Sequence, residues 1–260
     1  MSSRTPAWRI ALSLFTVIPA GTGGELGEGD AARAVLWLPA VGLLLAIPGA
    51  AVMVGIGATG DTALRRLLGA ALALALLGLL TGGLHLDGLA DTADGLGSRR
   101  PAAAALDIMR KSDVGPMGVA TLVLVLLIQV AALAAAPTAN LAALSFLLSQ
   151  VTARASVVLA TASPPARPGG FGALVAGAST ARARTLTVLL LAIAIAAAGF
   201  ALGGWPLAVR GIAAAAAGLL AGTGMRLLAV RRLGGTTGDV FGAVLEIAAL
   251  ATLLTCALGG

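Results

Sequence analysis

Three aspartates, Asp87, Asp91 and Asp94, stand at i, i+4 and i+7 in the stretch TGGLHLDGLADTADGLGS, residues 81–98, which also holds the chain's one histidine, His85. On a helix turning about 100° per residue, Asp91 lies some 40° around from Asp87 and Asp94 about 20° to the other side. Three carboxylates therefore share one face. Like charges at this spacing repel, and nearby hydrocarbon weakens their screening. A divalent cation relieves the repulsion, and oxygen ligands without cysteine and with a single histidine favour Mg²⁺ or Mn²⁺ over zinc. Three carboxylates could hold one such ion, or two about 4 Å apart that clamp a phosphoryl centre. The plainer alternative is a solvated helix end whose acids balance the basic loop after it, although such a surface would scatter its charges. His85 could orient the first aspartate, act as a general base, or contact phosphate; an aspartate free of metal is the other candidate base. Gly88 and Gly95 each cost about 1 kcal/mol relative to alanine inside a helix. An anionic substrate approaching the backbone would account for them.

Two further polar clusters follow. In DIMRKSDVGPMG, residues 107–118, Arg110 and Lys111 could grip phosphate oxygens, and Asp113 could orient them or add a metal ligand. The rival reading makes Arg110 and Lys111 ordinary charges flanking a membrane span. In RRLGGTTGDVFGAVLE, residues 231–246, the run Gly234, Gly235, Thr236, Thr237 and Gly238 opens a helix and offers backbone N–H groups and two hydroxyls to an anion. No lysine follows the glycines, so this is not a P-loop. Asp239 could cap the last helix or reach the metal site. Glu246 falls about two turns inside an apolar segment, where an ionisable residue is costly and functional by default. Arg154, inside another such segment, is its candidate partner.

The elements that carry these clusters belong in a bilayer. The 260 residues are 58% hydrophobic and 11% charged, with a mean hydropathy of +1.00, where a soluble domain carries about a quarter charged residues. The expectation is an all-α, polytopic bundle forming one membrane-embedded domain over residues 1–260. Apolar runs place about seven spans at 35–58, 67–84, 117–136, 141–162, 185–203, 206–229 and 240–258. Pro39 and Pro48 should kink the first, and the second should continue as a helix into the aspartates. Residues 7–18 are too few to span and predict a short interfacial or re-entrant helix. Lys and Arg outnumber Asp and Glu by 17 to 11, but the surplus sits in short loops, so it reports topology rather than a nucleic-acid face. Arg4, Arg9, Arg33, Arg99, Arg100, Arg167, Arg226, Arg231 and Arg232 are among the charges that put the N-terminus and loops 85–116, 163–184 and 230–239 on the cytoplasmic side of a bacterial inner membrane. Cys256, alone, can form no intrachain disulfide.

Taken in order, GGLHLDGLADTADGLGS, DIMRKSDVGPMG and RRLGGTTGDVFGAVLEI resemble the cobalamin synthase family, and ALSLFTVIPAG and WLPAVGLLL are similar to its N-terminal segments. The likeness covers nearly the whole chain. Family members commonly place a basic residue where this chain has Val17, and often an acid where it has Ala249. The resemblance implies a Mg²⁺-dependent membrane transferase that joins adenosylcobinamide-GDP to α-ribazole or its 5′-phosphate, releasing GMP, with a ribose 3′-hydroxyl attacking the cobinamide-linked phosphorus. It implies that Asp87, Asp91 and Asp94 hold the ion, that Arg110 and Lys111 stabilise the leaving group, and that Gly234–Asp239 closes the site. A homo-oligomer is left open. The rival readings are a CDP-alcohol phosphotransferase, against which Asp91 stands where that family's arginine would follow D-G-x-x-A; a membrane prenyltransferase, which would need a second aspartate-rich motif; and a transporter with Glu246 and Arg154 lining a path.

Overall fold

A helix buries every backbone N–H and C=O within itself, and this makes it the natural way for so apolar a chain to cross lipid. The computed structural model describes residues 5–21 and 29–259, and these fold into helices without a strand. In chain order they are α1 Ala7–Phe15, α2 Asp30–Val35, α3 Leu38–Ala58, α4 Ala63–Thr81, α5 Leu84–Gly97, α6 Ala102–Ile108, α7 Pro116–Ala134, α8 Ala139–Ala160, α9 Gly170–Val175, α10 Ala181–Leu233 and α11 Gly238–Leu258. Among the described residues, α3, α4, α7, α8, α10 and α11 are long and apolar enough to cross a membrane. A straight α10 of 53 residues would run about 80 Å, far beyond a hydrocarbon core of about 30 Å. It instead folds back at Gly203 and Gly204, the latter with φ 69°, just before Pro206. The two legs then touch: a Cβ on Gly199 would lie 2.8 Å from the Ala208 nitrogen. Counting both legs gives the seven crossings the hydropathy predicts.

Threonines open four of these helices. The hydroxyls of Thr62, Thr138, Thr180 and Thr237 accept the amides of Arg65, Leu141, Ala183 and Val240 at the starts of α4, α8, α10 and α11. α8 and α11 form the centre, with 67% and 61% of their most apolar windows buried against 28% for α4 and α7. The outer helices turn Leu43, Ile47, Leu72, Leu127, Leu190 and Ile193 outward, an apolar belt of the kind that faces acyl chains.

The two ends of the bundle differ. At one, Asp61 pairs with Arg66 at 2.7 Å and accepts the Ala139 amide at 2.9 Å, tying the α3–α4 loop to the start of α8. The other gathers the segments around residues 94–118, 163–167 and 234–239. These are the three loops that the charge pattern groups on one face; Arg4, counted in that pattern, lies outside the described residues.

Two expectations are corrected. The second span does not run on as a helix into the aspartates, because Gly82 and Gly83 are both left-handed, with φ 59° and 73°, and end α4. Pro39 does not kink a span either: α3 starts at Leu38, so Pro39 lies in its first turn, where the missing N–H costs nothing.

Candidate active site

The Gly82–Gly83 break lets α5 leave the axis of α4 and pack against α11 and α7. A Cβ on Gly88 would sit 2.7 Å from the Asp239 carbonyl oxygen, and one on Gly242 would sit 2.8 Å from that of His85. Gly88 thus serves close helix packing rather than an open approach for substrate. Gly95 is likewise covered, by Met109 and the Ala105 carbonyl.

This contact brings Asp239, at the start of α11, to the aspartate face of α5. Asp87 is exposed and Asp91 half-buried. Burial, and then the charges of Asp87, Asp239 and Asp94, push the Asp91 carboxyl from 3.8 up to about 6. Asp239 accepts a hydrogen bond from the Thr237 hydroxyl at 3.1 Å, and the Arg167 guanidinium stands 3.9 Å away. The Nη1 of Arg167 is buried without a hydrogen-bond partner. Sequence reasoning treated Arg167 only as a loop charge. Its position depends on a pairing of SPPARPGG with the glycine–threonine run, which neither segment announces alone: the Ala166 amide donates to the Thr236 carbonyl at 3.0 Å and the Thr236 amide to that of Pro164 at 2.9 Å.

That pairing changes the expected role of residues 234–238. The Thr236 amide and hydroxyl both turn to the Pro164 carbonyl. The Gly234 amide closes α10 on Val230, and the Thr237 hydroxyl accepts the Val240 amide. A Cβ on Gly235 would overlap the Pro164 carbonyl. The Gly234 and Thr236 amides and the Thr236 and Thr237 hydroxyls are therefore committed to the wall that carries Arg167 and Asp239. Gly238 lies against Phe171, whose ring bridges those of Phe15 and Phe241 edge-on at 5.4 and 6.4 Å, tying α1 to the start of α11.

Asp94 does something else again. Its two carboxylate oxygens accept the amides of Gly115 at 2.6 Å and Gly118 at 2.9 Å, capping α7 from a neighbouring helix. A side chain on either glycine would collide with that carboxylate. Arg110, Lys111 and Asp113 are all exposed, and Arg110 lies 3.9 Å from Asp107 of its own turn. Among the described residues, Arg167, rather than Arg110 or Lys111, is the cation that stands against Asp239.

His85 points away from them. It is buried and, with Gln129, Arg154 and Glu246, borders an enclosed cavity of about 20 Å³ between α4, α5, α7, α8 and α11. Arg154 donates to the Gln150 side chain at 2.8 Å, leaving its Nε and Nη2 without partners. Glu246 accepts from Gln129 at 3.0 Å. Arg154 and Glu246, expected to pair, face one cavity with room for about one water molecule.

Among the described residues, no group of three or more His, Cys, Asp or Glu side chains is arranged to hold a metal ion. What the site offers is a patch of carboxylates, Asp87, Asp91 and Asp239, in which burial first and mutual repulsion second raise the Asp91 carboxyl to about 6. Mg²⁺ takes only one or two protein carboxylates and fills its remaining positions with water and phosphate oxygens, and Asp87 and Asp91 are the residues that could supply them. Beside it opens a cleft of about 540 Å³ between the end of α1, the Gly82–Gly83 turn and the start of α7, with Asp87 in its wall.

The family described as "Cobalamin-5-phosphate synthase" matches residues 7–257. Three similar proteins, each named adenosylcobinamide-GDP ribazoletransferase, come from Frankia casuarinae, Bradyrhizobium diazoefficiens and Ectopseudomonas mendocina. The first is 39% identical, covering 96% of this chain and 94% of the relative. The second is 39% identical over 96% and 92%, and the third 37% over 96% and 98%. No solved structure matches the chain. A multi-pass helical membrane protein, it is a transferase and belongs to the cobalamin-5-phosphate synthase family.

Proposed function

We propose that the chain joins adenosylcobinamide-GDP to α-ribazole, or to its 5′-phosphate, at the end of the bundle where α5, α7 and α11 meet. The observation that carries this reading is the juxtaposition of Asp87, Asp91 and Asp239 with a guanidinium whose Nη1 is unclaimed. Carboxylates that attract a cation, next to an arginine free to bind oxyanion, match a diphosphate substrate. Asp87 and Asp91 would hold Mg²⁺, with Asp239 beside them. When bound, the ion would neutralise charge on the diphosphate.

The chain's own groups do the rest. Arg167, steadied by Asp239, donates to the phosphate that departs with guanosine, so charge gathering there meets a cation. The ribose 3′-hydroxyl forms a new O–P bond to the cobinamide-linked phosphorus. The bond from that phosphorus to the bridging oxygen breaks, and GMP leaves with the bridging oxygen and both bonding electrons. The hydroxyl proton passes to a carboxylate of this group; His85, turned into the buried cavity, is not placed to take it. The site faces the cytoplasm of a bacterial inner membrane, as the arginine bias predicts.

The test gives the purified protein α-ribazole, Mg²⁺ and one activated substrate at a time and measures its leaving group: GMP from adenosylcobinamide-GDP, CMP from a CDP-lipid, or pyrophosphate from a prenyl diphosphate. Turnover of the cobinamide substrate alone supports the reading, and CMP release from CDP-lipid without GMP release from adenosylcobinamide-GDP would replace it.

A further inference from the structure

In the wall of the cleft beside Asp87, both threonine hydroxyls and several backbone amides are already committed. The Thr16 hydroxyl donates to the Leu12 carbonyl at 2.7 Å and accepts the Ile18 amide at 3.0 Å. The Thr81 hydroxyl donates to the Leu77 carbonyl at 3.0 Å. The amides of Thr16, Val17, Gly82 and Gly83 donate to the carbonyls of Leu12, Leu80, Leu79 and Gly78. The rest of the lining is side chains such as Phe15, Leu84, Val114 and Leu122, with no Lys or Arg among the described residues. Asp87 is the exception, an exposed carboxylate that accepts no hydrogen bond among the described residues.

The volume, about 540 Å³, lies within the range of roughly 300–1,000 Å³ typical of small-molecule sites. The chemistry of the wall then selects among the pieces of the two substrates. A guanine base carries donors and a carbonyl that would be buried here without partners, at a cost of about 1–3 kcal/mol for each group. A diphosphate would find no Lys or Arg in this wall among the described residues, whereas Arg167 stands on the other side of the carboxylates. A corrin ring would press its amide arms against leucine, valine and phenylalanine. A dimethylbenzimidazole has an apolar flat face and two methyl groups, and its sugar supplies the hydroxyls that one free carboxylate can accept.

We infer that this cleft is the acceptor site, taking the benzimidazole base of α-ribazole between the end of α1, the Gly82–Gly83 turn and the start of α7, with a ribose hydroxyl donating to the Asp87 oxygen that the proposed ion leaves free. The inference rests on the proposed reaction and adds the location of one substrate. It places the nucleophile on the α1–α7 side of the aspartates and leaves the Arg167 side to the guanosine diphosphate. The base packs by apolar contact, and the attacking hydroxyl arrives at the carboxylates.

Leu84 and Val114 are exposed in the cleft wall, so a larger side chain there fills the cleft without straining the core. The experiment measures equilibrium binding of α-ribazole to the full-length protein in lipid nanodiscs, with no second substrate, for wild type, Leu84→Trp and Val114→Trp. Steady-state KM values for both substrates are measured alongside. Monodisperse elution and an unchanged melting temperature certify each variant, and Leu84→Ala and Val114→Ala replace any that fails, with weakened binding again expected from lost contact. The expected result is a rise of at least tenfold in the Kd and KM for α-ribazole in both tryptophan variants, with the KM for adenosylcobinamide-GDP changed less than twofold. Unchanged α-ribazole affinity, or a rise confined to the cobinamide substrate, would overturn the assignment. Wild-type protein that binds α-ribazole at this cleft yet releases no GMP would instead reject the proposed reaction and leave the site standing.

Discussion

Asp91 and Asp94 are neighbours on one helix face and answer different demands. Asp94 spends both oxygens on the first turn of α7, so its loss is first a loss of structure. Asp94→Ala should lower stability by about 2 kcal/mol, the cost of stranding capped amides, and a thermal melt in detergent measures it. Asp87→Ala and Asp91→Ala should leave the melt nearly unchanged while cutting kcat/KM by about 10³-fold, the scale of losing an electrostatic stabiliser of the transition state. Asp91 also carries a pH signature. Its carboxyl titrates near 3.8 in the unfolded chain and at about 6 in the fold. Between those values the folded state holds the extra proton, so metal-free protein loses stability as pH rises through that window. Above it Mg²⁺ binds an ionised carboxylate. Mg²⁺ affinity should therefore fall about tenfold per unit below pH 6, and an Asp91→Asn variant should show no such slope. A pH-independent affinity in wild type would contradict the arrangement.

At the scale of elements, the contact of α5 with α11 places the site, and a buried polar cluster underlies that contact. Arg154 on α8, Glu246 on α11, Gln129 on α7 and His85 on α5 share one small cavity. Removing Glu246 alone leaves the buried Arg154 guanidinium with only its neutral Gln150 partner and no opposing charge across the cavity, and Glu246→Ala should cost about 3 kcal/mol. The double variant Arg154→Met/Glu246→Leu should recover most of that loss, because a well-packed apolar pair is often as stable as a buried ionic one. A double variant as unstable as the single one would mean the cluster matters for more than charge balance. The i, i+4, i+7 spacing made the α5 carboxylate face legible in sequence, and the ionisable positions 154 and 246 stood out against their apolar surroundings. What the spacing could not show is where each carboxylate turns once α5 is packed. Asp94 meets Gly115 and Gly118 only because the chain returns at α7. Arg167 reaches Asp239 only because Pro164–Ala166 pairs with Thr236. Both are tertiary contacts between segments far apart in the chain, and local periodicity carries no trace of them.

The whole molecule is asymmetric from end to end. Hydropathy and positive charge were enough to anticipate seven crossings and the gathering of three polar loops, since both follow from bilayer thickness and loop composition. The hairpin inside α10 was legible as a short interruption around residues 203–206, and the break before α5 was not, because two glycines in a run of leucines read equally well as helix. The orientation has its own consequence. With Cys256 replaced by serine, a single cysteine at the exposed Ser112 should react with a membrane-impermeant maleimide only in inverted vesicles, and one at the exposed Thr59 only in right-side-out cells. The reverse labelling pattern would turn the site to the other side of the membrane. The central claim is that the carboxylates of α5, with Arg167, transfer a cobinamide phosphate to a ribazole hydroxyl. The most direct measurement is Mg²⁺-dependent GMP release from adenosylcobinamide-GDP and α-ribazole by wild type, Asp91→Ala and Arg167→Ala in nanodiscs. The account predicts release by wild type that vanishes on chelation, falls about 10³-fold in Asp91→Ala, and falls about 10²-fold in Arg167→Ala. Wild-type rates in both variants would contradict it.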